Sequence, residues 1–215
     1  MSMAAYFSGE ISLDPMMIAR SVIHPRFVDV SRVPARRAVR EGRDAVQVDQ
    51  GVFRATLGCF PTGVAIVTSL DGDVPVGMVV GSFSSISLDP PLVGFFADLK
   101  SSTFRGIQRG GRFVVNVLGA EHEQMCRRFF RDREARFQGS EWITTESGLP
   151  KFAGAIAWID CAVEQEVELG DHMLVVGRVE ALGRNPDKDA SPALVFHRGA
   201  FAVSGAENPG AQSKP

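Results

Sequence analysis

Two apolar runs, GVAIVTSL (63–70) and VPVGMVVGSF (74–83), have the β-branched and small residues of buried strands, and the Asp71-Gly72-Asp73 between them suits a hairpin turn. PPLVGFFAD (90–98) reads as a third strand, entered through prolines that belong at a strand start. The period then changes in SSTFRGIQRGGRF (101–113): Phe104 and Ile107 lie three apart, a hydroxyl among Ser101, Ser102 and Thr103 can cap, and Gly110-Gly111 stops the turn. A short helix is expected there. FVVNVL (113–118) is a fourth strand, and EHEQMCRRFF (121–130) sets His122, Met125, Cys126, Phe129 and Phe130 at helical spacings. GAIAWIDCAVEQEVEL (154–169) alternates, with Ile156, Trp158 and Asp160 on one face and Ile159, Cys161 and Val163 on the other. HMLVVGRVEAL (172–182) and PALVFHRGAFAV (192–203) complete roughly seven or eight strands. Many β runs with two short helices predict a mainly β domain, an antiparallel barrel or sandwich, over about residues 51–204.

The flanks differ in texture. Residues 1–50 are irregular, with an arginine-bearing stretch in which Arg36, Arg37, Arg40 and Arg43 fit a short polar helix whose charges face solvent. The end from Ala206 has the composition of a disordered tail. With 215 residues, 45% of them hydrophobic, the chain is long enough for one buried core. A formal net charge of -2 with scattered Lys and Arg argues against nucleic acid as a partner. No apolar run approaches the ~18 residues of a membrane span, and Glu10 and Asp14 fall where a signal peptide would carry its apolar stretch, so a cytoplasmic protein with no membrane partner is expected. Cys59, Cys126 and Cys161 are far apart, with no CxxC pair, and read as core thiols.

Three stretches carry candidate chemistry. GSFSSISLDPP (81–91) puts one glycine and four serines within seven residues, between two apolar runs. One reading is a strand end fraying into a polar loop. The other is a slot for a flat ligand, whose rim of donors and acceptors is met by hydroxyls and amides while Gly81 leaves room for close approach. KSSTF (100–104) lies at a strand-to-helix junction, where helix amides and the positive dipole end favour an anion, with Lys100 as counter-charge. Plain capping accounts for one of its hydroxyls. In ELGDHML (168–174), His172 is either a surface histidine in a hairpin turn or an imidazole placed to meet a substrate. A metal site built from His122, Cys126 and His172 lacks a second clear ligand pair. A ring slot followed by an anion cradle outlines a phosphorylated aromatic cofactor.

The blocks FRATLGCFPTGVAIVTS, GMVVGSFSSISLDPPLVGFF, SSTFRGI, GRFVVNVL, RFQGSEW, AIAWIDC, GDHMLVVGRV and LVFHRGAF resemble, in order and spacing, the flavin reductase domain of two-component monooxygenases. The resemblance runs from about Val52 to Val203. It implies a split β-barrel of Greek-key, FMN-binding type, a homodimer with the flavin near the subunit interface, and reduction of FMN or FAD by NADH or NADPH. Reduced flavin would pass to a partner monooxygenase. It further implies flavin contacts from Thr62, Val79, Val80, Gly81, Ser82, Ser84, Ser85, Ala97, Ser101, Ser102, Thr103 and Phe137, and a catalytic role for His172 near nicotinamide and flavin. The chain departs from the family pattern at Val79 and Gly81, where many relatives have Thr and Asn, and at Ala135, where Asp is frequent. Main-chain groups then carry more of the ring recognition. A non-catalytic flavin carrier and a split-barrel oxidase or F420-type reductase are the alternatives.

Overall fold

A computed structural model of the protein describes residues 48–131, 134–139 and 141–205. The readings made for residues 1–47, the arginine-bearing stretch included, and for the tail from Ala206 lie outside the described residues. Helix α1 (Gln50–Leu57) comes first, capped by Asp49, whose Oδ1 accepts from the Val52 amide at 2.9 Å. No helix is read over 50–57 in the sequence, although Phe53, Leu57 and Phe60 stand at i, i+4 and i+7; none of the residues of α1 is buried.

Strands β1 (Thr62–Gly63), β2 (Ala65–Asp71) and β3 (Val74–Val80) follow, β2 and β3 joined by the expected hairpin with Gly72 at φ 61°. The run predicted as one strand over 74–83 breaks after Val80. The chain crosses 81–83 and resumes as β4 (Ser84–Leu88), which turns back into β5 (Pro91–Asp98). Helix α2 (Ser102–Gly110) buries Phe104 and Ile107 and ends at Gly111, which adopts the left-handed φ of 65° and donates to the Ile107 and Gln108 carbonyls. Then come β6 (Arg112–Val117) and α3 (Glu123–Arg131), whose buried face is Met125, Cys126 and Phe129; Phe130 points away, 64% exposed. The strands β7 (Trp142–Thr144) and β8 (Pro150–Phe152) form a small hairpin, β9 (Ala157–Leu169) and β10 (His172–Arg184) a long one, and β11 (Leu194–His197) and β12 (Ala200–Val203) the last.

Seven strands form one antiparallel sheet in the order β3-β2-β6-β9-β10-β5-β4. Alternate side chains from across it, among them Val67, Val80, Phe95, Phe113, Cys161 and Val175, meet in a single buried cluster with Phe104 and Ile107 of α2. Edge and central strands share one core only if the sheet curls, and the open seam of that curl runs from β3 to β4 and β5. This is the expected mainly β split barrel with short helices. It carries more strands than predicted because β1, β7 and β8 are short flanking pieces outside the main sheet and β4 is a further strand within it. Cys126 and Cys161 are buried, their thiols pushed up to about 12 by desolvation, whereas Cys59 is exposed just beyond α1 and departs from the core-thiol reading.

The β7–β8 hairpin lies on the outside of the barrel, held by polar residues of the sheet. The Thr68 hydroxyl donates to the Pro150 carbonyl at 2.5 Å, the Phe152 amide donates to Asn116 Oδ1 at 2.9 Å, and the Ser147 hydroxyl donates to Asp160 Oδ2 at 2.5 Å. Thr68, Asn116 and Asp160 are all buried, so these bonds are made out of water, where leaving a partner unpaired is costly. A second apolar cluster, including Val64, Ile66, Phe129 and Phe152, fills the space between this side of the sheet and α3.

Candidate functional site

Strand β3 ends at Val80, directly before Gly81. A Cβ on Gly81 would stand 2.8 Å from Thr62 Oγ1, so with this Thr62 rotamer glycine fits where a larger residue would have to displace the hydroxyl. Thr62 and Gly81 are thereby juxtaposed. Ser82 closes the seam: its Oγ accepts from the Phe96 amide at 3.0 Å and lies 3.4 Å from the Phe96 carbonyl, replacing ladder bonds between β3 and β5. Its hydroxyl is occupied by the chain. Ser84 pairs with Gly94 and Ser85 with Val93; both side chains are exposed, and the Ser84 hydroxyl donates to the Ser85 carbonyl at 3.1 Å.

At the far end of β5, Ala97 is buried and Asp98 leads into α2. Ser101 is the N-cap, its Oγ accepting from the Phe104 amide at 3.2 Å. The amides of Ser102 and Thr103 lie in the first turn, where no intrahelical acceptor exists, and Ser102 is exposed. The Thr103 hydroxyl is turned inward, 5% exposed overall, and accepts from Arg136 Nη1 at 2.8 Å. Of the three clustered hydroxyls, Ser102 alone faces solvent without a fold-building bond among the described residues. Position 172 opens β10 directly opposite Asp98 of β5, and the Leu99 amide donates to the Asp171 carbonyl at 3.2 Å. The fold thus sets His172 beside the N-terminal end of α2. Its Nδ1 lies 2.7 Å from Asp171 Oδ1, and this hydrogen bond holds the Asp171 carboxyl below the ordinary carboxylate range.

Thr103 also lines a cavity of about 540 Å³, together with Val76, Gly77, Arg136 and Phe137, among others. Arg136 ties its walls together, donating from Nη1 to the Gly77 carbonyl at 3.0 Å and from Nε to the Phe129 carbonyl at 2.9 Å. Phe137 stacks on Trp142 at 4.2 Å between centroids, and Trp142 on Phe152 at 5.5 Å, linking the cavity to the β7–β8 hairpin. Sequence reasoning passed over Arg136, which stands directly before Phe137 in RFQG; its value comes from partners 33 and 59 positions away, to which no local pattern points.

The predicted residues therefore fall into neighbouring groups. Thr62, Val79, Val80 and Gly81 lie at the start of the seam, Ser82, Ser84 and Ser85 along it, and Ala97, Ser101, Ser102, Thr103 and His172 at its α2 end. Phe137 lines the same cavity as Thr103, away from the seam residues. A flat ring with a polar rim and a phosphate tail fits this set: Gly81 supplies close approach, exposed hydroxyls and main-chain groups line the seam, and the first turn of α2 offers amides to an anion.

Residues 57–204 match the flavin reductase like domain family. The chain is 42% identical over 155 residues to a flavin reductase of Pseudomonas putida, covering 72% of this chain and 89% of that protein. Among solved structures, a nitrilotriacetate monooxygenase component B homologue from Mycobacterium thermoresistibile aligns with a TM-score of 0.71 at 35% identity, over 78% of this chain and 91% of that one. An NADH:FAD oxidoreductase of Streptomyces globisporus, solved with NAD and FAD fragments, aligns with a TM-score of 0.67 at 34% identity, over 76% and 96% of the two chains.

Proposed function

Because the chain belongs to the flavin reductase like domain family, we propose that it reduces FMN or FAD with NADH or NADPH and supplies the reduced flavin to a partner monooxygenase. The observation that carries this reading is the meeting of an open, hydroxyl-lined seam with the N-terminus of α2 and His172 at one edge of the barrel. Bound flavin supplies the redox chemistry, taking a hydride from the nicotinamide. The chain's own groups bind and orient. The main chain of 79–81 with the Ser84 and Ser85 hydroxyls meets the rim of the ring. The amides of Ser102 and Thr103, the Ser102 hydroxyl and the α2 dipole hold the phosphate. Asp171 stays ionised and fixes the His172 imidazole, whose other nitrogen is left to face the nicotinamide. Gly81, Ser84, Ser85 and Ser102 are exposed, which suits a flavin that binds, is reduced and leaves.

The expected result is consumption of NADH or NADPH that depends on added FMN or FAD. Ser102→Ala should weaken FMN about tenfold and leave riboflavin, which has no phosphate, unchanged, as loss of a charge-assisted hydrogen bond requires. Bound flavin without turnover by either nicotinamide would replace the reductase with a carrier. Equal weakening of FMN and riboflavin would move the phosphate site elsewhere. The reading further places the protein in the cytoplasm with its flavin and nicotinamide pools, and its absence from the cytosolic fraction of lysed cells would refute that. Among the described residues no helix is long and apolar enough to cross a membrane.

A further inference from the structure

Arg136 is half-buried, and its bonds join three elements at one point. A single nitrogen, Nη1, donates to the Thr103 hydroxyl in the first turn of α2 at 2.8 Å and to the Gly77 carbonyl of β3 at 3.0 Å, while Nε donates to the Phe129 carbonyl of α3 at 2.9 Å. The guanidinium also lies 5.8 Å from the centroid of the Phe129 ring. Aromatic rings crowd β3 at the same residue: a Cβ on Gly77 would stand 3.1 Å from both Phe129 Cε1 and Phe137 Cζ. At the other end of α2, Arg109 Nε donates to Asp71 Oδ1 at 2.8 Å, but that pair is open to solvent and constrains the helix little. The bond from Arg136 goes to a residue only 5% exposed, where it is worth more and its loss leaves a buried hydroxyl without its donor.

We propose that Arg136 is a positioning residue for flavin binding: by holding Thr103 to Gly77 it fixes the first turn of α2 at one distance from the end of β3. The inference rests on the flavin reductase reading, which puts the ring against 79–81 and the phosphate on the amides of Ser102 and Thr103. Gly77 lies two residues before Val79 on the same strand, and Thr103 carries one of those amides. One guanidinium nitrogen therefore joins the strand that meets the ring to the turn that meets the phosphate. A ligand spanning both must find them at a single spacing, and a frame already held there spares the cost of ordering them on binding. A ligand that touches the strand alone does not need the frame. The planar, permanently charged fork of arginine serves these acceptors from one rigid group, which the single ammonium of lysine does not.

The test titrates the whole protein with FMN and with riboflavin, which differ only in the phosphate, and follows the quenching of flavin fluorescence. In Arg136→Gln the Kd for FMN should rise about tenfold, with that for riboflavin within twofold of wild type. Thr103→Val keeps the amide and the side-chain shape but removes the acceptor of the Arg136 bond, and should give the same selective loss. Because both changes break one bond, the double variant should be no weaker than either single variant within twofold. Thr103→Ser, which keeps the hydroxyl, should restore FMN binding. Losses that multiply to about a hundredfold in the double variant overturn the proposal, since Arg136 would then act on the phosphate without Thr103. Equal weakening of FMN and riboflavin also overturns it, as general damage to the fold would produce that result. Should Arg136→Gln fail to fold, Arg136→Lys takes its place in the same cycle with the same outcomes. If no nicotinamide is oxidised with any flavin but the selective, non-additive loss is seen, the reductase reading fails and the positioning role stands. Unchanged FMN affinity in the variants, with flavin-dependent turnover intact, does the reverse.

Discussion

Ser82 and Ser102 look alike in the sequence, one small hydroxyl in a run of others, yet the fold uses them oppositely. Ser82 bonds the Phe96 backbone and holds the seam together, while Ser102 stands exposed on the first turn of α2. Thr103 belongs with Ser82, since its hydroxyl serves Arg136. Local alternation identified the hydroxyl-rich stretches, but which hydroxyls stay available depended on partners 14 and 33 residues away. His172 is the position where the functional assignment is most exposed to test. In His172→Ala the KM for the nicotinamide should rise, kcat should fall, or both, by about tenfold, near 1.4 kcal/mol of transition-state interaction, with flavin affinity unchanged. His122→Ala is the contrast: its Nδ1 accepts from the Gly119 amide at 3.1 Å, and burial lowers its affinity for a proton, so that change should cost stability and leave steady-state kinetics alone. Wild-type kinetics in His172→Ala would remove the residue from the site.

Among the elements, the β7–β8 hairpin contributes most for its size. Its strands are only three residues each and were not legible as a pair, because its placement depends on the Thr68, Asn116 and Asp160 side chains of the sheet beneath it as well as on its own buried Leu149 and Phe152. Asn116 is fully buried and bonds on both ends, Nδ2 donating to the Ile66 carbonyl at 3.0 Å and Oδ1 accepting from Phe152. Asn116→Ala should destabilise the protein by about 2–3 kcal/mol, the cost of leaving buried backbone groups unpaired. It should also loosen the Phe152–Trp142–Phe137 stack that backs the cavity. With Trp158→Phe as background, emission of the remaining Trp142 should shift to the red. Loss of stability without that shift would show that the stack holds the hairpin unaided. Helix α1 is the opposite case: its Asp49 cap is local chemistry, and its apolar Phe53 and Leu57, four apart, stay exposed instead of packing on the barrel.

At the scale of the molecule, apolar surface remains uncovered. Val52, Phe53, Leu57 and Phe60 at and after α1 are 54–69% exposed, and Ile86, Leu88 and Phe96 on β4 and β5 are 40–83% exposed. Clustered exposure of large side chains calls for a partner, and a homodimer is the expected one. Light scattering at micromolar concentration should give twice the 23.2 kDa chain mass, and a stable monomer would refute it. What the sequence by itself determined was local and periodic: the strands β2, β5, β6, β9 and β10, the β2–β3 hairpin at Gly72, the cap and stop of α2, and, through eight ordered blocks, the family. These depend on turn chemistry and side-chain period, which act over a few residues. Only the tertiary structure decided where the sheet curls, that the long run ends as a strand at Val80, and that Arg136 would brace Thr103 and Gly77. It also brought Phe130, Phe196 and Phe201 around one cleft. Those facts arise from register and close approach between segments tens of residues apart, and such contacts leave no period in the chain.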